Sequence, residues 1–215
     1  MLETDLIPAV EKDSKKLLVV LHGLGDSMEG YRWLPGMLRL PWLNYLLVNA
    51  PDAYYGGYSW YDFTGDERVG VGSSYQLLAT LLDSMRAAGY PSEDTGFFGF
   101  SQGCLMTLET GCRYPHRLGP LVGISGYVDD PDTLIKELSP VAREQRFLIT
   151  HGSYDSLLPI ARTRGQLHTL QQAGLHLDWA EYPKDHTILP EGELPFIREF
   201  LVKGFGNGYR EVDGQ

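Results

Sequence analysis

Five short runs of the chain are continuously apolar, at residues 17–21, 45–48, 96–99, 121–124 and 147–150, and a sixth candidate spans 175–182. Continuous rather than alternating hydrophobicity calls for apolar cover on both faces, which is the mark of parallel strands between helices. Stretches of helical period lie between these runs. Leu77, Leu78, Leu81, Leu82 and Met85 recur at three-to-four spacing and stop before Gly89, a predicted C-terminal cap. Residues 102–114 follow the third run directly. Residues 159–173 open with Pro159 at the predicted first helical position and close at Gly174. Residues 195–202 carry Phe196, Ile197, Phe200 and Leu201 for a closing helix. Strand–helix alternation on this scale predicts an α/β fold, a mostly parallel central sheet with helices on both faces.

The stretch between Pro51 and Tyr75 breaks the pattern. Tyr54, Tyr55, Tyr58, Trp60, Tyr61 and Phe63 are interleaved there with glycines, and neither period is present. It reads either as a surface loop burying its own aromatic rings or as a segment facing substrate. No internal repeat or linker divides the chain. The expectation is one domain over 1–215, with 1–15 a peripheral leader and 204–215 a peripheral tail.

Composition narrows the class. Apolar residues make up 43% and charged residues 21%, enough for an ordinary core. A net charge of −10 disfavours nucleic acid and anionic membranes and suits a small neutral or cationic substrate. The two cysteines, Cys104 and Cys112, fall on one predicted helix about 12 Å apart, beyond the roughly 7 Å reach of a disulfide. They are read as free thiols and the protein as cytoplasmic. The first sixteen residues lack a signal-peptide pattern, and no run is long enough for a membrane span.

The candidate chemistry starts at Gly99-Phe100-Ser101-Gln102-Gly103. Ser101 falls between a predicted strand and a predicted helix, the context of a nucleophile elbow. A serine there stands on a tight turn, and flanking glycines remove side chains that would collide. The helix N-terminus favours developing negative charge. A serine also needs a base. Of six histidines, only His168, His176 and His186 lie well downstream. His186 follows the carboxyl end of the last predicted strand, where reacting groups gather in open α/β sheets. Asp155, in the loop after the fifth run, is the favoured acid, with Asp129, Asp130 and Asp185 as rivals. The oxyanion donors expected of such a fold are the amides of Gln102 and Leu24, the latter in the loop after the first run. His22 is read as structural.

Taken together these motifs resemble the carboxylesterase, lysophospholipase and acyl-protein thioesterase family of the α/β-hydrolases. Residues 21–26 (Leu-His-Gly-Leu-Gly-Asp) match its first-strand signature, and 59–62 (Ser-Trp-Tyr-Asp) its Trp-aromatic-Asp segment. Residues 99–103 match the elbow, and residues 151–159 the acid loop containing Asp155. His186 takes the place of the family's histidine. Cys104 stands where the family has a small glycine, and Pro183-Lys184-Asp185 where it has a Gly-rich stretch. The resemblance implies an α/β-hydrolase fold with minimal or no cap and an open groove lined by Leu24, Trp60 and Leu157. It also implies short to medium acyl chains and no metal or cofactor, with lysophospholipids, acylated proteins and small esters all open as substrates.

The reading is a serine hydrolase cleaving carboxylic esters or thioesters through an acyl-enzyme, with Ser101, Asp155 and His186 catalytic. Its partners are small-molecule esters or thioesters, with no nucleic acid and no integral membrane segment, and a homodimer stays open. Two alternatives remain: a binding protein with a degenerate site, and a peptidase or acyltransferase on the same scaffold.

Overall fold

Alternation within the apolar runs sets the central layer. Leu17, Val19 and Leu21 enter one buried cluster while Leu18 and Val20 enter another. The same division recurs at Phe97 and Phe98, at Leu121 and Val122, and at Phe147 and Leu148. Each run thus lies in a sheet covered on both faces, and each fully buried Leu or Phe contributes about 1.5–3 kcal/mol. The computed structural model describes residues 1–206.

The strands are β1 Thr4–Ile7, β2 Leu17–Leu21, β3 Asn44–Val48, β4 Asp52–Tyr54, β5 Gly57–Ser59, β6 Thr95–Phe100, β7 Leu121–Ile124, β8 Arg146–Gly152 and β9 His176–Tyr182. The helices are α1 Leu34–Leu38, α2 Glu67–Ala87, α3 Gln102–Arg113, α4 Pro131–Lys136, α5 Ile160–Gln172 and α6 Glu193–Gly204. Seven strands form one sheet in the order β1-β3-β2-β6-β7-β8-β9, parallel except for β1. Residues of α2, α3, α4 and α5 fill the first cluster, and those of α1 and α6 the second. This is the α/β-hydrolase fold.

All six predicted strands form, but the structure departs from expectation elsewhere. Residues 1–15, expected as a leader, supply the antiparallel edge strand β1, and Leu2 is buried. With four residues and a half-buried pattern, β1 carries no continuous apolar signal. The aromatic segment holds the β4–β5 hairpin, with Trp60 and Tyr61 fully buried behind it. Helix α2 begins ten residues before Leu77, because its first turns bury only Val71 and Ser74. Pro159 occupies the cap position of α5 rather than its first turn, a one-residue difference common at helix ends. Beyond Gly206 the expected tail lies outside the described residues.

Candidate active site

Ser101 sits between β6 and α3 with φ 55° and ψ −115°, a conformation that L-residues rarely adopt. Its amide donates to the Ile124 carbonyl of β7 at 2.9 Å, which fixes the turn. A Cβ on Gly99 would lie 2.1 Å from the Gly103 oxygen, while one on Gly103 would lie 2.3 Å from the Leu21 oxygen. The first glycine therefore admits the helix to its own strand, and the second admits it to β2.

The loop after β9 brings His186 to this serine. Its Nε2 is 3.0 Å from Ser101 Oγ, and its Nδ1 is 2.7 Å from Asp155 Oδ2. With Nδ1–H donating to the carboxylate, Nε2 faces the hydroxyl as an acceptor. Asp155 is buried, and its other oxygen accepts the Leu157 and Leu158 amides at 3.1 and 2.8 Å. The Phe100 ring lies 4.9 Å from the imidazole and packs against it. Two of the three rival acids are occupied otherwise. Asp130 caps α4 and pairs with Arg68, and Asp185 accepts the Ser156 amide and hydroxyl. His168 bonds Gln172 on α5, and His176 stands exposed at the start of β9.

Among the described residues neither the Leu24 nor the Gln102 amide has a protein acceptor, and both residues line the cleft beside Ser101. Support for this pocket comes from behind. The Gln102 side chain accepts the Trp60 amide at 3.0 Å and donates to the Tyr61 carbonyl at 3.0 Å. Trp60, expected on the groove wall, is instead fully buried, and its indole N–H donates to the His22 carbonyl at 2.9 Å. An indole with one polar atom satisfies that atom inside the core and packs the rest, so Trp60 braces the loop carrying Leu24. Leu157 does line the cleft and is 69% exposed.

His22 is structural, as read. The Ala50 amide donates to its Nε2 at 3.0 Å, and its Nδ1 lies 2.6 Å from the Gly23 carbonyl, so those partners assign a neutral ring protonated on Nδ1. Burial pushes both His22 and His151 below their ordinary 6.5. The unfolded chain therefore binds protons here more readily than the folded one below about pH 6.5, and stability present above that pH is lost as pH falls. Thermal melts from pH 7.5 down to 5.5 should show a declining Tm that His22→Gln makes shallower. A flat wild-type Tm over that range would contradict this reading.

The cleft has a volume of about 550 Å³, within the usual range for small-molecule sites. Its apolar lining includes Leu24, Phe63, Phe100 and Leu157. Its polar end is Tyr127, whose hydroxyl donates to Glu67 at 2.7 Å and whose ring lies 4.5 Å beneath the Arg162 guanidinium. Among the described residues no cluster of His, Cys, Asp or Glu is arranged to hold a metal ion, and no helix is long and apolar enough to cross a membrane.

Cys104 does not loosen the packing of α3. Its side chain is fully buried in space that Cβ atoms on Gly123 or Gly126 would fill, since each would come within 2.5 Å of its sulfur. Both thiols are free. Sequence reasoning missed the buried Lys184 and Glu193 below His186, although Lys184 already stood out as a departure from the family pattern.

The profile of the phospholipase/carboxylesterase family matches residues 3–204. An acyl-protein thioesterase 1 of Schizosaccharomyces pombe is 32% identical over 155 residues, covering 66% of this chain and 69% of the relative. One from Debaryomyces hansenii is 27% identical, covering 92% of this chain and 97% of its own. The crystal structure of esterase PE8 superposes with a TM-score of 0.84 at 28% identity, covering 94% of this chain and 99% of that one.

Proposed function

Because this chain belongs to the phospholipase/carboxylesterase family and is a carboxylic ester hydrolase of the α/β-hydrolase type, we propose that it cleaves esters or thioesters through an acyl-serine formed on Ser101. Ser101 Oγ attacks the acyl carbonyl while His186 Nε2 takes the hydroxyl proton. Asp155 holds the imidazole in the required tautomer and stabilises its charged form. The oxyanion is received by the Leu24 and Gln102 amides, with the amino end of α3 behind them. The tetrahedral adduct collapses, and His186 returns the proton to the departing alcohol or thiol. Water then attacks the acyl-enzyme, giving its proton to His186, and the second tetrahedral adduct collapses to the acid as His186 returns that proton to the departing Ser101 Oγ.

The observation that carries this reading is the unbroken hydrogen-bond chain from Asp155 through His186 to Ser101, at 2.7 and 3.0 Å. The apolar lining residues suit an acyl chain of short to medium length. The experiment is intact mass after brief exposure to a panel of acyl esters and to a fluorophosphonate, with the adduct mapped by peptide. A single adduct on Ser101 is expected. An adduct elsewhere overturns the assignment, and an inert protein points to the degenerate binding fold.

A further inference from the structure

Two residues before His186, the Lys184 side chain is fully buried. Its Nζ lies 2.5 Å from Glu193 Oε1 and donates to the Thr187 carbonyl at 2.6 Å. Glu193, equally buried, opens α6. The same Oε1 accepts the Thr150 hydroxyl of β8 at 2.6 Å, and Oε2 accepts the Leu189 amide at 2.8 Å. The pair thus grips the loop on both sides of His186. The Lys184 carbonyl reaches the other loop, accepting the Tyr154 amide at 3.0 Å next to Asp155.

Two buried ions cost several kcal/mol each in lost hydration, and an apolar pair of the same volume is often as stable or more so. What an apolar pair lacks is direction. Here the carboxylate has three partners drawn from a strand, a loop and the lysine, so the loop backbone has one register. We propose that Lys184 and Glu193 are positioning residues for the hydrolysis, their buried ion pair holding the His186 loop at hydrogen-bond distance from both Ser101 and Asp155. The inference rests on the reading of His186 as the base. An imidazole displaced by about 1 Å loses on the order of 100-fold in rate.

The test is kcat and KM for one acyl ester, expressed per active site titrated with the fluorophosphonate, in Lys184→Met, Glu193→Gln, the double variant and Thr150→Val. A purely structural pair lowers the number of sites and leaves turnover per site unchanged. Positioning lowers kcat per site by roughly 10- to 100-fold in each single variant with KM within about twofold, and the double variant is no worse than the poorer single. Thr150→Val, which keeps volume and removes one hydroxyl, loses about threefold and decides the matter if neither charge variant folds. Wild-type kcat per site in Lys184→Met, or in Thr150→Val where it alone folds, overturns the inference alone. Wild-type enzyme that does not titrate at Ser101 overturns the underlying reading instead.

Discussion

Changing Ser101 to alanine lowers kcat on an acyl ester by about 10^6-fold while the protein stays folded. Alanine keeps the Cβ that the φ of 55° already accommodates, so the turn is no more strained than before. Only the hydroxyl goes, and with it the group that His186 Nε2 faces at 3.0 Å. On the proposed mechanism the Leu24 and Gln102 amides still receive the substrate carbonyl, so a residual rate above that of water is expected. His186→Ala falls almost as far. The double variant is scarcely worse than either single, because nucleophile and base act as one unit. Initial rates with matched melting curves check this. A Ser101→Ala enzyme within tenfold of wild type, about 1.4 kcal/mol, would remove the acyl-serine from the mechanism.

Gly99→Val acts on the fold rather than on the chemistry. Even the Cβ of alanine would sit 2.1 Å from the Gly103 oxygen and 2.4 Å from Thr107 Oγ1. The helix cannot retreat, since Ser101 at its start is tied to β7 and α3 packs on β2, β6 and β7. The expected loss exceeds about 4 kcal/mol, the range reserved for overpacking a site that cannot move. For a chain of this size that is a drop of roughly 8–16 °C in Tm, or no folded protein at all. Gly165→Ala is the control. Its Cβ meets nothing within 4 Å on the exposed face of α5, and the change should stabilise by about 0.5–1 kcal/mol. Equal effects at the two glycines would refute the close-approach argument.

Legibility in the sequence follows the range of the contacts involved. The six apolar runs were readable because burial on both faces leaves a local signature. That Ser101, Asp155 and His186 come together was readable because each follows a strand end, and strand ends share one side of a parallel sheet. Trp60 was misplaced for the converse reason. Its environment is set by His22 and Gln102, at 38 and 42 residues' distance along the chain, and an aromatic in a glycine-rich stretch gives no local sign of which way it turns. Glu193 is another such case. Nothing in the sequence distinguishes a carboxylate at the start of a surface helix from one buried against a lysine, and only the folded loop brings the two together. The edge strand β1 escaped because a half-buried tetrapeptide looks like any polar leader.

The seat of Cys104 has a consequence for how this sequence can change. Its sulfur fills the space that side chains at Gly123 or Gly126 would need, so the three positions share one small volume. Enlarging either glycine first meets a collision; shrinking Cys104 first relieves the one at Gly123, but at Gly126 a Cβ would still meet the Cβ of residue 104 at 2.5 Å and the Ser101 carbonyl oxygen at 2.9 Å. The order of steps therefore decides which intermediates fold. A lineage that has placed cysteine here holds Gly123 captive until the cysteine itself is exchanged, while Gly126 stays a glycine either way.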